Sequence, residues 1–100
     1  MANNIFISLC QQEGLTPIPE YPFAKDIGRR WRVDYFFAPN VALEVEGGVY
    51  TLGRHTRPSG FLKDMEKYNE MARKGILLIR CTPDTLCTTI QLIKDCLCAT

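Results

Sequence analysis

Apolar residues recur at helical spacing at the start of the chain, alternate as in strands through its middle, and return to helical spacing towards its end. Ile5, Phe6, Leu9 and Cys10 form one apolar helical face, which Asn3 or Asn4 can cap and Gly14 can stop, so a first helix is expected to about Glu13. Pro17 and Pro19 forbid helix. Residues 18–24 therefore read as a short strand near a sheet edge, because Pro22 has no N–H to give to a ladder. Turn residues at 26–28 lead to a second strand at 31–37, whose alternation sets Trp31, Val33, Tyr35 and Phe37 against Arg32, Asp34 and Phe36. Pro39 and Asn40 then make a tight connection, which predicts an antiparallel hairpin into residues 41–48.

After a loop at 49–60, which Ser59 can end by capping, a helix is expected from Gly60 to about Lys74 with the apolar stripe Phe61, Met65, Tyr68, Met71 and Ala72. Gly75 closes it. The run ILLIRC at 76–81 is nearly all apolar, the pattern of a strand buried on both faces in the middle of a sheet. Thr82 and Pro83 lead into a last helix from Asp84, with Leu86, Ile90, Ile93 and Leu97 at helical spacing. The order of helix, three strands, helix, strand and helix predicts an α/β fold, an αβββαβ core whose mixed sheet is flanked by helices. The first three strands meander and the fourth returns parallel at the centre. No repeat or linker divides the chain.

The stretch VALEVEGG at 41–48 carries the chemistry. Val41, Leu43 and Val45 fall on one face of an extended strand, and Ala42, Glu44 and Glu46 on the other. Two carboxylates on one side of an otherwise apolar strand mean either an edge strand with a solvated face or a site where a cation or donors compensate them, since an uncompensated buried carboxylate costs several kcal/mol. Asp34 lies nearly symmetric with Glu44 about Pro39-Asn40, so the hairpin brings the two together if both side chains share a face.

Composition narrows the setting. One hundred residues at 46% hydrophobic content fit one domain spanning residues 1–100 with one core. A net charge of +1 gives no global electrostatic case for nucleic acid, so that case rests on local clusters: Arg29, Arg30 and Arg32; Arg54 and Arg57 around His55; Lys63, Lys67, Arg73 and Lys74. Five cysteines, without a CxxC pair or a signal peptide, fit buried thiols in a reducing cytosol rather than a zinc site. No apolar run reaches the roughly 20 residues that span a bilayer.

Hard cations such as Mg²⁺ take oxygen ligands, so Asp34, Glu44 and Glu46 from neighbouring strands are candidate ligands, with Mn²⁺ able to substitute. A metal so held activates water and polarises a phosphodiester. Lys67 and His55 are candidates for positioning that water, moving its proton or neutralising developing charge, and Arg54 and Arg57 for holding phosphates.

Several stretches together, from Arg29-Arg30-Trp31-Arg32-Val33-Asp34 through ALEVEGGVY and GRHTRPSGFLKDMEKYN to Gly75-Ile76-Leu77-Leu78-Ile79-Arg80, resemble small phage and prophage endonucleases of the PD-(D/E)XK superfamily, related to very-short-patch-repair-like nucleases. The resemblance covers roughly residues 20–83. It implies a restriction-endonuclease-like fold, Mg²⁺-dependent cleavage of DNA, and a phage- or prophage-encoded protein acting in the cytoplasm of a bacterial host. By it, Asp34 is the acid of the second core strand and Glu44 the first acid of the third. Glu46 stands where most of the superfamily has lysine. Either it is a further metal ligand, with the lysine's work moved to Lys67, or the chain cleaves poorly. Repair-like relatives also carry an acid followed by glycine there and a histidine soon after, as Glu46-Gly47 and His55 do here. Asp64 matches a family position too, as a metal neighbour or as an orienter of Lys67 or an arginine.

The expected function is thus a nicking, repair or junction-processing endonuclease acting on DNA, with Arg30 and Lys63 as further DNA contacts and a symmetric homodimer for double-strand cutting. A nuclease-like DNA-binding or assembly module is the alternative. A third reading is an interaction domain that dimerises through its last helix. Trp31 and Tyr68 read as core rather than as stacking platforms.

Overall fold

The structure, a computed structural model, describes residues 4–47 and 58–99, with side chains described for residues 5–47, 62 and 64–99. A helix α1 (Asn4–Gln12) is followed by strands β1 (Ile18–Pro22), β2 (Arg32–Phe37) and β3 (Val41–Val45), helix α2 (Pro58–Arg73), strand β4 (Leu77–Cys81) and helix α3 (Thr89–Cys98). Short 3₁₀ segments at Lys25–Ile27 and Pro83–Thr88 complete the described path. The strands form one sheet in the order β1-β2-β3-β4, antiparallel at β1/β2 and β2/β3 and parallel at β3/β4. The mixed α/β arrangement with β1 at an edge is as the periodicity and Pro22 predict.

The sheet divides the expected single core into two layers. Phe6 and Cys10 of α1 and Ile90 and Ile93 of α3 pack on one face against Tyr35, Phe37, Val41, Leu43, Ile79 and Cys81. On the other face Met71 of α2 meets Phe23, Phe36 and Ala42, with Trp31 and Tyr68 half-buried beside them. Val33 belongs to this second layer rather than joining Tyr35 and Phe37. The break falls beside the level of Glu20 on β1, whose φ of 53° interrupts the regular pleat. The apolar side of α3 is used inside the protein: Ile90 and Ile93 are buried, leaving Leu92 exposed.

Two expectations are corrected. The run ILLIRC is not central; β4 is an edge of the described sheet, and Leu77 is 45% exposed. Helical layers cover both faces of this edge, so Ile79 and Cys81 pack to one side and Leu78 to the other. An apolar run thus records two-sided burial but not strand order. On α2, Met65 and Ala72 are exposed rather than buried, because the covered line runs through Lys67, Tyr68, Glu70, Met71 and Lys74. Its charged members are ion-paired, which lets a helix face contain them. Phe61 and Ser59 fall among the side chains outside the description.

Candidate functional site

The register of three strands brings the predicted acids to one end of the sheet. The β2/β3 ladder pairs Phe37 with Val41 and runs to Tyr35 with Leu43. Continued one step beyond the observed pairs, the same register would set Asp34 level with Glu44. Here a side chain takes over from the ladder: Asp34 Oδ2 accepts the backbone N–H of Val45 at 2.7 Å. On the other side of β3 the parallel ladder sets Glu44 against Arg80 and Val45 against Cys81, and Glu46 N–H donates to Cys81 O at 2.7 Å. Glu20 stands level with Asp34, between the Pro19–Tyr35 and Tyr21–Val33 pairs. Glu44 and Arg80 are thus paired at one level of the sheet, and continuing the registers of the other strands aligns Asp34 and Glu20 with them.

Glu44 is the hub. Lys67 Nζ, from the middle of α2, donates to one carboxylate oxygen at 2.9 Å, and the Tyr68 hydroxyl donates to the other at 3.3 Å. The two side chains of the ion pair are only 17% (Lys67) and 13% (Glu44) exposed. At that burial the attraction is weakly screened, and each charge depends on the other to offset its lost hydration. Burial pushes the Tyr68 hydroxyl up to about 12, and the Glu44 carboxylate adds to the shift while the Arg80 guanidinium opposes it. Tyr68 thus stays a neutral donor. Arg80 lies over the Tyr68 ring, 4.5 Å from its centre, and its Nε is 3.5 Å from Glu46 Oε1.

Arg54, His55 and Arg57 lie outside the described residues, as does the side chain of Lys63. Arg30 is exposed on the approach to β2, and Asp64 is exposed on α2, where its charge reaches Tyr68. Lys67 pairs with Glu44 rather than with Asp64. Two members of the arrangement were not singled out from the pattern of the chain. Tyr68 reads as a stripe aromatic, and nothing local shows that its hydroxyl meets Glu44 from 24 positions away. Arg80 did leave a signal, as the one charge in ILLIRC, but its meaning depends on the parallel register with Glu44.

Among the described residues no three His, Cys, Asp or Glu side chains gather as a metal-holding group. Mg²⁺ needs fewer, commonly one or two carboxylates with water and phosphate completing its shell. Asp34 and Glu44, hard-oxygen donors at the same end of the β2/β3 pair, fit that requirement in kind. Glu46 is turned to Arg80.

Comparison with known proteins leaves the site to be judged on its own geometry: no family model, no curated protein and no solved structure matches the chain.

Proposed function

We infer that the protein is a metal-dependent DNA endonuclease whose centre is Glu44. The observation that carries this reading is a largely buried carboxylate, Glu44, ion-paired with a helix cation, Lys67, while a second acid, Asp34, is bonded to the backbone of the adjoining residue, Val45. Asp34 and Glu44 would hold Mg²⁺ or Mn²⁺, and the bound ion supplies an acidified water and charge neutralisation at phosphorus. Lys67 does what a lysine at position 46 does in the resembling superfamily, from the next element: its ammonium, held at Glu44, stabilises negative charge developing on the phosphate oxygens. Tyr68 holds the second oxygen of Glu44 in place. His55, Arg54 and Arg57, with Arg30 and Lys63, remain the proposed contacts for proton movement and for the DNA backbone. Nicking, repair or junction processing suits one small domain; cutting both strands would take two copies, a homodimer.

Supercoiled and branched DNA with Mg²⁺ or Mn²⁺ provides the test. Wild-type protein is expected to cut, and Glu44→Ala to lose cutting while its circular dichroism is retained; undiminished cutting by the variant overturns the assignment.

A second reading is favoured by the way the acids are held. Glu44 and Glu46 each already face a cation of the chain itself, Lys67 and Arg80. A nuclease-like DNA-binding or assembly module would use those pairs as permanent structural bonds.

A further inference from the structure

We propose that Arg80 is a phosphodiester-binding residue of this site, holding an anionic backbone oxygen of nucleic acid beside Glu44. This rests on the nucleic-acid reading above and adds to it a residue that sequence reasoning assigned no role. Parallel neighbours at one level emerge on the same face, so the pairing of Glu44 with Arg80 puts the guanidinium on the face covered by α2. There the Tyr68 ring supports it at 4.5 Å. Stacking of this kind fixes the guanidinium plane and leaves its N–H edges for hydrogen bonds.

The cation is held but not used up. Its contact with Glu46, at 3.5 Å, is the longest of the described ion pairs, beyond the range of a good N–H···O bond, and the side chain is 49% exposed. Lys67 differs on each count: 2.9 Å from its carboxylate and 17% exposed. Arg29, as exposed as Arg80 at 50%, differs in its ion-pair distance alone, 2.8 Å from Glu66. Among the described residues, Arg80 is therefore the cation beside Glu44 that can exchange a weak partner for an incoming phosphate at small cost. Glu46 keeps it in place until then, which gives the acid at the superfamily's lysine position a use that requires no metal. A planar fork suits two phosphate oxygens at once, and a lysine there would offer only a point charge.

The test uses Arg80→Met, which keeps the apolar stem against Tyr68, and Arg80→Lys, which keeps the charge. Binding of a fluorescent branched DNA in Ca²⁺ is followed by anisotropy across salt concentrations, and the Arg80 Nε–Hε resonance of the wild type is followed while inorganic phosphate is added. Arg80→Met is expected to weaken DNA binding by about tenfold and lower the salt slope by about one, with Arg80→Lys restoring the slope but not the affinity. Phosphate is expected to shift the Nε–Hε resonance. Variants that bind like wild type, wild type that does not bind DNA, or a resonance indifferent to phosphate would overturn the proposal. Wild type that binds through Arg80 but never cuts supports it while removing the endonuclease assignment; cutting that ignores Arg80 does the reverse.

Discussion

At Glu44 one carboxylate joins β3 to α2 across 23 positions of sequence. Removing Lys67 leaves that carboxylate with the longer Tyr68 contact alone. Lys67→Met is therefore expected to lower unfolding stability by about 1–3 kcal/mol, less than for a fully buried pair because some solvent reaches the site. Glu44→Gln combined with Lys67→Met is expected to recover part of the loss, and a urea-denaturation double-mutant cycle measures it; additive losses would mean the pair is not coupled. Glu44 was legible at this scale as an acid inside an otherwise apolar strand, which must be compensated, and Lys67 compensates it. What could not be read was which donor meets which acid. Asp34 takes a backbone N–H, a choice set by where the ladder ends, and Tyr68 turns its hydroxyl to a strand it does not adjoin in sequence.

Among the elements, α2 is anchored at its far end. Lys74 Nζ donates to Phe23 O at 2.7 Å and to Asp26, tying the end of the helix to the turn after β1. The Lys74 hydrogen bond holds Asp26 below its ordinary 3.8, and the same bond raises Lys74 above its ordinary 10.5. A lowered carboxylate stabilises the fold above its unfolded value and loses that contribution as pH falls through the native one. A raised lysine stabilises below its unfolded value and loses it as pH rises through the native one. The stability gap between wild type and Asp26→Asn, from thermal unfolding at several pH values, is thus expected to be widest between 3.8 and 10.5 and to close on either side. A gap independent of pH would contradict the pairing. Just beyond, Gly75 stops the helix at φ 70°, with nothing within 4 Å of where a Cβ would stand. Gly75→Ala is expected to cost about 1 kcal/mol, from backbone conformation alone, read as a shift in denaturation midpoint. Element types follow closely from the 3.6 and 2 periods and from Gly14 and Gly75 as stops. The place of β4 does not, since both faces of an edge strand can be covered by helices.

Across the whole molecule, two helical layers pack on opposite faces of the sheet, and the charged level opens where β3 and β4 both end, the side on which open α/β sheets bind ligands. Among the described residues no helix is long and apolar enough to cross a membrane. The fold's layers were recoverable from apolar spacing because each element buries one stripe. The site is less so: its parts come from β2, β3, α2 and β4, and only register and packing bring them together. The proposed endonuclease activity requires the acids at this end to bind a metal ion and not merely to be bonded to their own cations. Calorimetric titration of Mn²⁺ into wild-type protein and Glu44→Ala, without DNA, tests this most directly. Saturable binding by wild type and its loss in the variant is the predicted result; no binding by wild type, or equal binding by both, would contradict the proposed activity.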